Sequence, residues 1–102
     1  MKVKVRAIDF KVDQKLVDFV QKKMDKLDQY YDKIIDAVVT LKLDSTSEKE
    51  NKIADVKINI AGDEFIAKKK AKTFEEAIDL CAESQRRMLR KKNEREKVHV
   101  TS

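Results

Sequence analysis

The amino-acid sequence predicts an α+β fold: a single β-α-β-β-β-α domain in which two helices pack on one face of a four-stranded sheet. Four short segments alternate between apolar and charged side chains, as half-buried strands do. Two longer segments repeat apolar side chains every three or four residues, as amphipathic helices do. Because each strand has one apolar face, both helices are expected to cover the same side of the sheet.

The first strand and the first helix are separated by a change of period. Residues 2–6 alternate, with lysine or arginine on one side and valine on the other, which indicates a half-buried strand. Asp13 can then cap a helix that spans about residues 13–31. Its apolar face is formed by Leu16, Val17, Val20, Met24, Leu27 and Tyr31.

Three further strands are predicted to form an antiparallel meander. They span residues 37–43, 53–60 and 64–72, and Gly62 with Asp63 makes the tight turn before the last of them. The inward side chains are Val39, Leu41 and Leu43 in the second strand, and Ala54, Val56, Ile58 and Ile60 in the third. The meander follows the first strand through the helical crossover.

A polar loop and a second helix complete the domain. Residues 44–52 lack β-branched apolar side chains and are predicted to form the loop before the third strand. Thr73 and Glu76 match a capping box, from which a helix runs to about Asn93. Its buried side is formed by Phe74, Ala77, Ile78, Cys81, Met88 and Leu89.

The basic charge of the chain is concentrated near its end. The sequence has 102 residues, of which 42% are charged, and a formal net charge of +5. Residues 86–97 hold seven basic and two acidic side chains, so this segment carries the whole excess. Such a balance indicates a polyanionic partner without choosing between nucleic acid and membrane. The domain is predicted to comprise residues 1–97, followed by a frayed tail over residues 98–102.

No constellation of residues points to catalysis, to a metal or to another cofactor. His99 is the single histidine and lies in the predicted tail, where nothing orients it as an acid or base. Cys81 is the single cysteine and lies on the apolar side of the second helix, where a thiol is unreactive. One cysteine and one histidine give no zinc-site spacing, and one glycine gives no phosphate-binding loop. We therefore expect a protein that is not an enzyme.

The sequence contains neither a targeting signal nor a segment that could enter a membrane. The first residues contain no signal-peptide pattern, and no apolar run approaches the length of a membrane span. A single cysteine is compatible with a reducing compartment. We expect a cytoplasmic protein that does not bind membranes, because the apolar side of its basic helix is needed for the core.

The charges on both helices are segregated. On the first helix, one stripe contains Lys15, Lys22, Lys26 and Lys33, and the aspartates lie elsewhere. On the second helix, one broad arc contains Arg86, Arg87, Arg90, Lys91 and Arg95. Ion pairs between successive turns are an alternative explanation for the lysine stripe on the first helix. On the second helix, the helix dipole would account for one or two of the cations. Arginine holds phosphate through two parallel hydrogen bonds, so five cations on one arc favour a polyanion.

Structured RNA fits this pattern better than DNA does. The sequence contains no helix-turn-helix or zinc-finger pattern that would predict reading of DNA bases. A rigid domain with basic stripes on two helices suits an RNA that is recognised by its shape and phosphate positions. The outer face of the sheet adds Lys2, Lys4, Arg6, Lys42, Lys57 and the lysines of residues 68–72. Protection of sheet edges and solubility account for these better than ligand binding does.

Several short strings, in this order of elements, carry a family resemblance. They are Asp18-Phe19-Val20, the segment Lys26 to Ile34, Ala54-Asp55-Val56, Ala77-Ile78-Asp79, and Arg87-x-Leu89 followed by Lys91. Over residues 2–95 the chain resembles short members of the family of ribosome hibernation promoting factors and ribosome-associated inhibitor A. The resemblance implies binding to ribosomal RNA in the decoding region of the small ribosomal subunit. It also implies inhibition of translation, in stationary phase or stress, by occupation of the messenger and transfer RNA sites.

The resemblance and the helical arcs together give the candidate RNA-binding residues. The family usually has basic residues at the positions of Lys23, Lys26, Arg87 and Lys91, and the arcs add Lys22, Arg86, Arg90 and Arg95. We expect a monomer that needs another factor if it pairs ribosomes, because the chain ends soon after the second helix. Two alternatives stay open: another structured-RNA-binding protein, or a protein-binding regulator of an alternative sigma factor.

Overall fold

Six elements follow one another in the predicted order. A computed structural model describes residues 1–45 and 49–101, with residues 97–101 described by their backbone alone. The elements are β1 (Lys2–Ile8), α1 (Gln14–Leu27), β2 (Ile34–Leu43), β3 (Lys52–Ile60), β4 (Asp63–Ala71) and α2 (Phe74–Thr101). Part of the predicted loop over residues 44–52 lies outside the described residues. The α+β prediction is confirmed.

The four strands lie side by side in the order β1-β2-β3-β4. β1 is parallel to β2, which requires the crossover that α1 provides, and the other two pairs are antiparallel. Val5, Val39, Val56 and Ala67 are paired in one row across all four strands. Side chains in such a row share a face, so this register sets the inner face of the sheet.

Both helices cover this inner face, as predicted. α1 buries Val20, Met24 and Leu27, and α2 buries Ala77, Ile78, Cys81 and Leu89 in the same core cluster as the inward strand residues. Leu43 was predicted to belong to this core, but 48% of it is exposed because it is the last residue of β2. Ile35 is 58% exposed because it is the extra residue of a bulge between Ile34 and Asp36.

The predicted ends of both helices are wrong. α1 ends at Leu27, because the next backbone N–H groups, beginning with that of Asp28, bond to carbonyls three residues back. Tyr31 is still buried, with 4% of its surface exposed, although it lies beyond the helix. α2 continues past Asn93 to Thr101, because no glycine or proline interrupts it. The boundary at residue 97 and the frayed tail stay predictions.

The predicted caps are present, and the predicted turn is displaced by one residue. The Asp13 carboxylate accepts a hydrogen bond from the Leu16 N–H at 2.8 Å, and the Glu76 N–H donates to the Thr73 hydroxyl at 3.1 Å. The turn before β4 contains Gly62 with a φ of 78°, a conformation that glycine adopts without strain. Asp63 is already the first residue of β4.

Two polar side chains of α2 contact the backbone of the sheet from within the core. The Gln85 amide, which is fully buried, donates to the carbonyls of Val56 at 2.9 Å and Phe65 at 3.1 Å. The Cys81 Sγ lies 3.4 Å from the carbonyl of Ala54, and burial raises the pKa of this thiol to about 11. Gln85 therefore ties α2 to both β3 and β4.

Replacement of Gln85 by alanine is expected to destabilise the fold. The change removes two buried hydrogen bonds and leaves a cavity, so the free energy of unfolding should fall by about 2–3 kcal/mol in urea denaturation. Gln29→Ala is the matched control, because Gln29 is exposed beyond the end of α1. It should change the free energy by less than about 0.5 kcal/mol. Equal effects of the two substitutions would contradict this role of Gln85.

Candidate nucleic-acid interface

The segregated charges of α1 have different surroundings on its two flanks. On the flank next to β1, the amino group of Met1 contacts the Asp25 carboxylate at 3.2 Å and the Asp28 carboxylate at 2.7 Å. The Gln21 amide donates to the carbonyl of Met1 at 3.0 Å and to Asp25 at 2.8 Å. Asp25 and Asp28 therefore lie on the side of β1, whereas Lys23 and Lys26 lie on the side of α2.

A groove between the two helices brings together three of the predicted residues. It is lined by Lys23, Lys26, Leu27, Tyr30, Asp79, Ala82, Glu83 and Arg86. The Lys23 Nζ lies 2.9 Å from the Asp79 carboxylate and 5.4 Å from the centre of the Phe19 ring. Arg86 forms an ion pair with Glu83, which raises the pKa of the guanidinium, and it also contacts the Tyr30 hydroxyl. The groove is therefore a mixed-charge site in which Lys23 and Arg86 already have partners.

The exposed side of α2 changes sign along its length. Its first turns contain Glu75, Glu76, Asp79 and Glu83, and its later turns contain Arg87, Arg90, Lys91 and Arg95. All four later cations are exposed, and none of them forms an ion pair within the described part of the chain. This order matches the helix dipole only in the first turn, because the cations lie before the last turn of a helix that ends at Thr101. It also leaves a row of cations free for an external anion.

The predicted residues form a band rather than one pocket. Lys26 and Arg86 line the inter-helix groove, whereas Lys22 lies on the outer side of α1, beside Lys15 and Phe19. The exposed cations of α2 continue from the groove toward its carboxyl end. The ion pair between Arg86 and Glu83 could have been predicted from the sequence, since the two residues are three apart on a helix. The ion pair between Lys23 and Asp79 could not have been predicted in this way, because the two residues are distant in sequence.

A buried tyrosine anchors the basic part of α2, which the sequence did not indicate. The Tyr31 hydroxyl donates to the Glu96 carboxylate at 2.8 Å, and the Lys33 Nζ lies 3.5 Å from the same carboxylate. Burial raises the pKa of Tyr31 to about 12, with a further contribution from Glu96. The hydrogen bond from Tyr31 lowers the pKa of Glu96. These contacts hold the helix turns that carry Arg90, Lys91 and Arg95 against the connection between α1 and β2.

Neither a metal site nor a membrane span is found among the described residues. Across residues 1–45 and 49–96, no three histidine, cysteine, aspartate or glutamate side chains are grouped for metal binding. No helix in the described part of the chain is long and apolar enough to cross a bilayer.

Comparison with solved structures identifies the class of fold. The structure is similar to the N-terminal domain of Protein Y from Thermus thermophilus, with a TM-score of 0.77 and 21% identity, over 89% of this chain and 98% of that one. It is also similar to a ribosomal subunit interface protein from Coxiella burnetii, with a TM-score of 0.75 and 18% identity, over 91% and 98% of the two chains. At these identities the likeness defines the fold.

The sequence itself identifies the family. Residues 3–97 match the family described as "Sigma 54 modulation protein / S30EA ribosomal protein", and the chain belongs to that family. It is also 28% identical over 99 residues to a ribosome hibernation promoting factor from Klebsiella oxytoca, which covers 97% of this chain and 100% of the relative. The resemblance drawn from the short strings of the sequence is confirmed.

Replacement of Tyr31 by phenylalanine is expected to lower stability in a pH-dependent way. The folded-state pKa of Glu96 is lowered, so its contribution is present above its unfolded pKa, near 4.3, and is lost as pH falls below that value. The folded-state pKa of Tyr31 is raised to about 12, so its contribution is present below its unfolded pKa, near 10, and is lost as pH rises toward 12.

Urea denaturation of the native protein and of Tyr31→Phe between pH 3 and pH 8 would measure this effect. The native protein should be the more stable at pH 7, and the difference should shrink at the acid end. Tyr30→Phe is the control, because the Tyr30 hydroxyl contacts Arg86 rather than Glu96. A difference between native protein and Tyr31→Phe that stays constant with pH would mean that the bond to Glu96 does not contribute.

Proposed function

We propose that this protein is a ribosome hibernation factor that binds ribosomal RNA in the decoding region of the small ribosomal subunit. It inhibits translation there by occupying the places of messenger and transfer RNA. The observation that carries the proposal is the row of exposed, unpaired cations on α2, in a chain that belongs to this family. The resemblance to ribosome hibernation promoting factors supplies the partner and the region, and the charged row supplies the means of binding.

The row of cations suits phosphate groups held at fixed positions. Arg87, Lys91 and Arg95 recur every four residues, so they follow the helix axis with only a gradual rotation. The anchor between Tyr31 and Glu96 keeps this part of α2 in place, so less conformational entropy is lost when RNA binds. Arginine provides two parallel donors for each phosphate, and the spacing of the row then selects RNA by shape rather than by base sequence.

The internal ion pairs rank the candidate residues. Asp79 and Glu83 partly neutralise Lys23 and Arg86, so these two cations are expected to add less to phosphate binding. Lys22 and Lys26 are exposed and form no ion pair within residues 1–45 and 49–96, so they can extend the binding surface across α1. The main contribution is expected from Arg87, Arg90, Lys91 and Arg95.

The proposed mechanism is occupancy without covalent change. The protein would act in the cytoplasm as a monomer, on idle ribosomes in stationary phase or stress. It would need another factor to pair ribosomes. Release would then require only a competing ligand or a change in conditions, because no bond is formed or broken.

Charge reversal on α2 is expected to abolish binding to small ribosomal subunits. We would compare the native protein with the triple variant Arg87→Glu, Arg90→Glu, Lys91→Glu, called the helix-face variant. Each arginine or lysine that is replaced should weaken binding about tenfold in co-sedimentation with isolated subunits. The control variant is Lys11→Glu, Lys49→Glu, which reverses charge at two exposed positions outside both the basic part of α2 and the sheet. It should bind like the native protein, and circular dichroism would confirm that both variants fold.

Binding of the native protein should also weaken steeply with salt. The slope of log affinity against log salt should become shallower in the helix-face variant by about 0.7–0.9 for each phosphate group that the variant no longer neutralises. Binding to naked RNA duplexes as tightly as to subunits would instead favour a general structured-RNA-binding protein. Failure of the native protein to sediment with subunits would contradict the proposal and favour the sigma-factor alternative.

A further inference from the structure

The outer face of the sheet is not covered by any helix of the described chain, and its charges are segregated. We propose that this face is a second phosphate-binding surface, so that the protein lies between two segments of RNA. The inference rests on the proposed function in taking RNA as the partner. It goes beyond that function because the sheet, unlike the helices, is given no role in it.

The strand register places this second surface. Directly paired residues share a face of the sheet. Four adjacent rows lie on the outer face, and three of them form its basic part, which we call the open sheet face. The rows are Lys4, Val38, Lys57 and Ile66; then Arg6, Thr40, Asp55 and Lys68; then Ile8, Lys42, Ile53 and Lys70. Six cations and one carboxylate are therefore brought together from four strands. The next row, at the other end of the sheet, contains Lys2, Asp36, Asn59 and Glu64, so the acidic groups are gathered there.

Most of these cations are available to an external anion. Lys57 contacts Glu64 at 3.2 Å, and Lys70 contacts Asp44 at 3.0 Å. Lys4, Arg6, Lys42 and Lys68 form no ion pair within residues 1–45 and 49–96. Within the described residues these four cations therefore lie on one surface without an ion-pair partner, and the one carboxylate within its three rows, that of Asp55, belongs to a central strand.

Solubility and edge protection explain this pattern only in part. Lysines on β1 and β4 do protect the edges of the sheet. Lys42 and Lys57, however, lie on the two central strands, whose edges are already paired. A surface selected for solubility alone intersperses the two signs of charge, whereas here six of the seven cations lie in three rows and two of the three carboxylates lie in the fourth. The register thus changes the interpretation that the sequence favoured for these lysines.

The shape of the open sheet face fits an RNA backbone. Its cations form two borders, with Lys4 and Arg6 on β1 and Lys68 on β4, and three strand spacings of about 14 Å lie between them. Between these borders, the central strands contribute Val38 and Thr40 together with Lys42 and Lys57. Two such borders can contact both phosphate strands across the wide, shallow groove of an RNA helix. A bilayer would need a cluster of bulky apolar side chains, but the exposed Ile8 and Ile66 lie on opposite edge strands in different rows. Between them, Ile53 is buried and Val38 is half-buried.

Titration with excess RNA duplex would test the inference. We would use a duplex of about 16 base pairs, long enough for one face of a small domain. The sheet-face variant is Arg6→Glu, Lys42→Glu, Lys68→Glu, and it is compared with the helix-face variant, the control variant and the native protein, all checked for folding by circular dichroism. Sedimentation velocity at low salt gives the number of duplexes bound to each protein. We expect two for the native protein and the control variant, and one for each face variant.

The same proteins would then be tested on small ribosomal subunits. The sheet-face variant should bind at least about tenfold more weakly than the control variant, since three phosphate-binding cations are replaced. A native protein that binds one duplex, with the sheet-face variant indistinguishable from it on duplex and subunits, would overturn the inference and leave the proposed function intact. A helix-face variant that still binds subunits normally would overturn the proposed surface on α2 instead.

Binding to anionic vesicles would distinguish RNA phosphates from lipid headgroups as the ligand. Vesicles containing phosphatidylserine should bind the native and sheet-face proteins equally weakly. Vesicle binding that is lost in the sheet-face variant, while its RNA binding is unchanged, would assign the surface to lipid headgroups and overturn the inference.

Discussion

Burial of one face of the sheet beneath two helices is the interaction on which the rest of the structure depends. The parallel pairing of β1 with β2 requires α1 to cross over the sheet, and α2 completes the cover on the same side. Apolar side chains from all these elements meet in one cluster, centred on residues such as Met24, Val56 and Leu89. Since this cluster uses most of the large apolar side chains, the charged residues are left on the helix flanks and the outer sheet face. The fold thereby determines where ligands of opposite charge can bind.

The sequence predicted those parts of the fold that depend on local periodicity. The alternation of Ala54, Val56 and Ile58 identified an inward face, and all three are buried. The helix ends were missed for a physical reason. The apolar period continues to Tyr31, which is buried by packing of the chain beyond α1 rather than by helical geometry. At the other end of the chain, Asn93 gives no strong stop signal, and α2 continues through it.

The sequence predicted which cations are exposed at the candidate site, but not which of them form ion pairs between elements. Helical arcs identified which cations are exposed, and Arg87 and Lys91 are exposed on α2. They could not show that Lys23 is paired with Asp79, because that ion pair depends on how closely the helices pack. The open sheet face likewise depends on tertiary structure that the sequence pattern does not show. The charges of Arg6, Lys42 and Lys68 come from three separate strands, and only the register brings them onto one surface.

The buried thiol of Cys81 has a consequence for how long the protein lasts. Nucleophilic attack and oxidation of cysteine both proceed through the thiolate, and a pKa of about 11 keeps this thiol protonated at neutral pH. The chain has no second cysteine with which to form an internal disulfide. While it stays folded it is therefore protected from covalent dimerisation and from the irreversible steps of sulfur oxidation. The packing that gives the protein its shape therefore also protects its thiol from chemical damage.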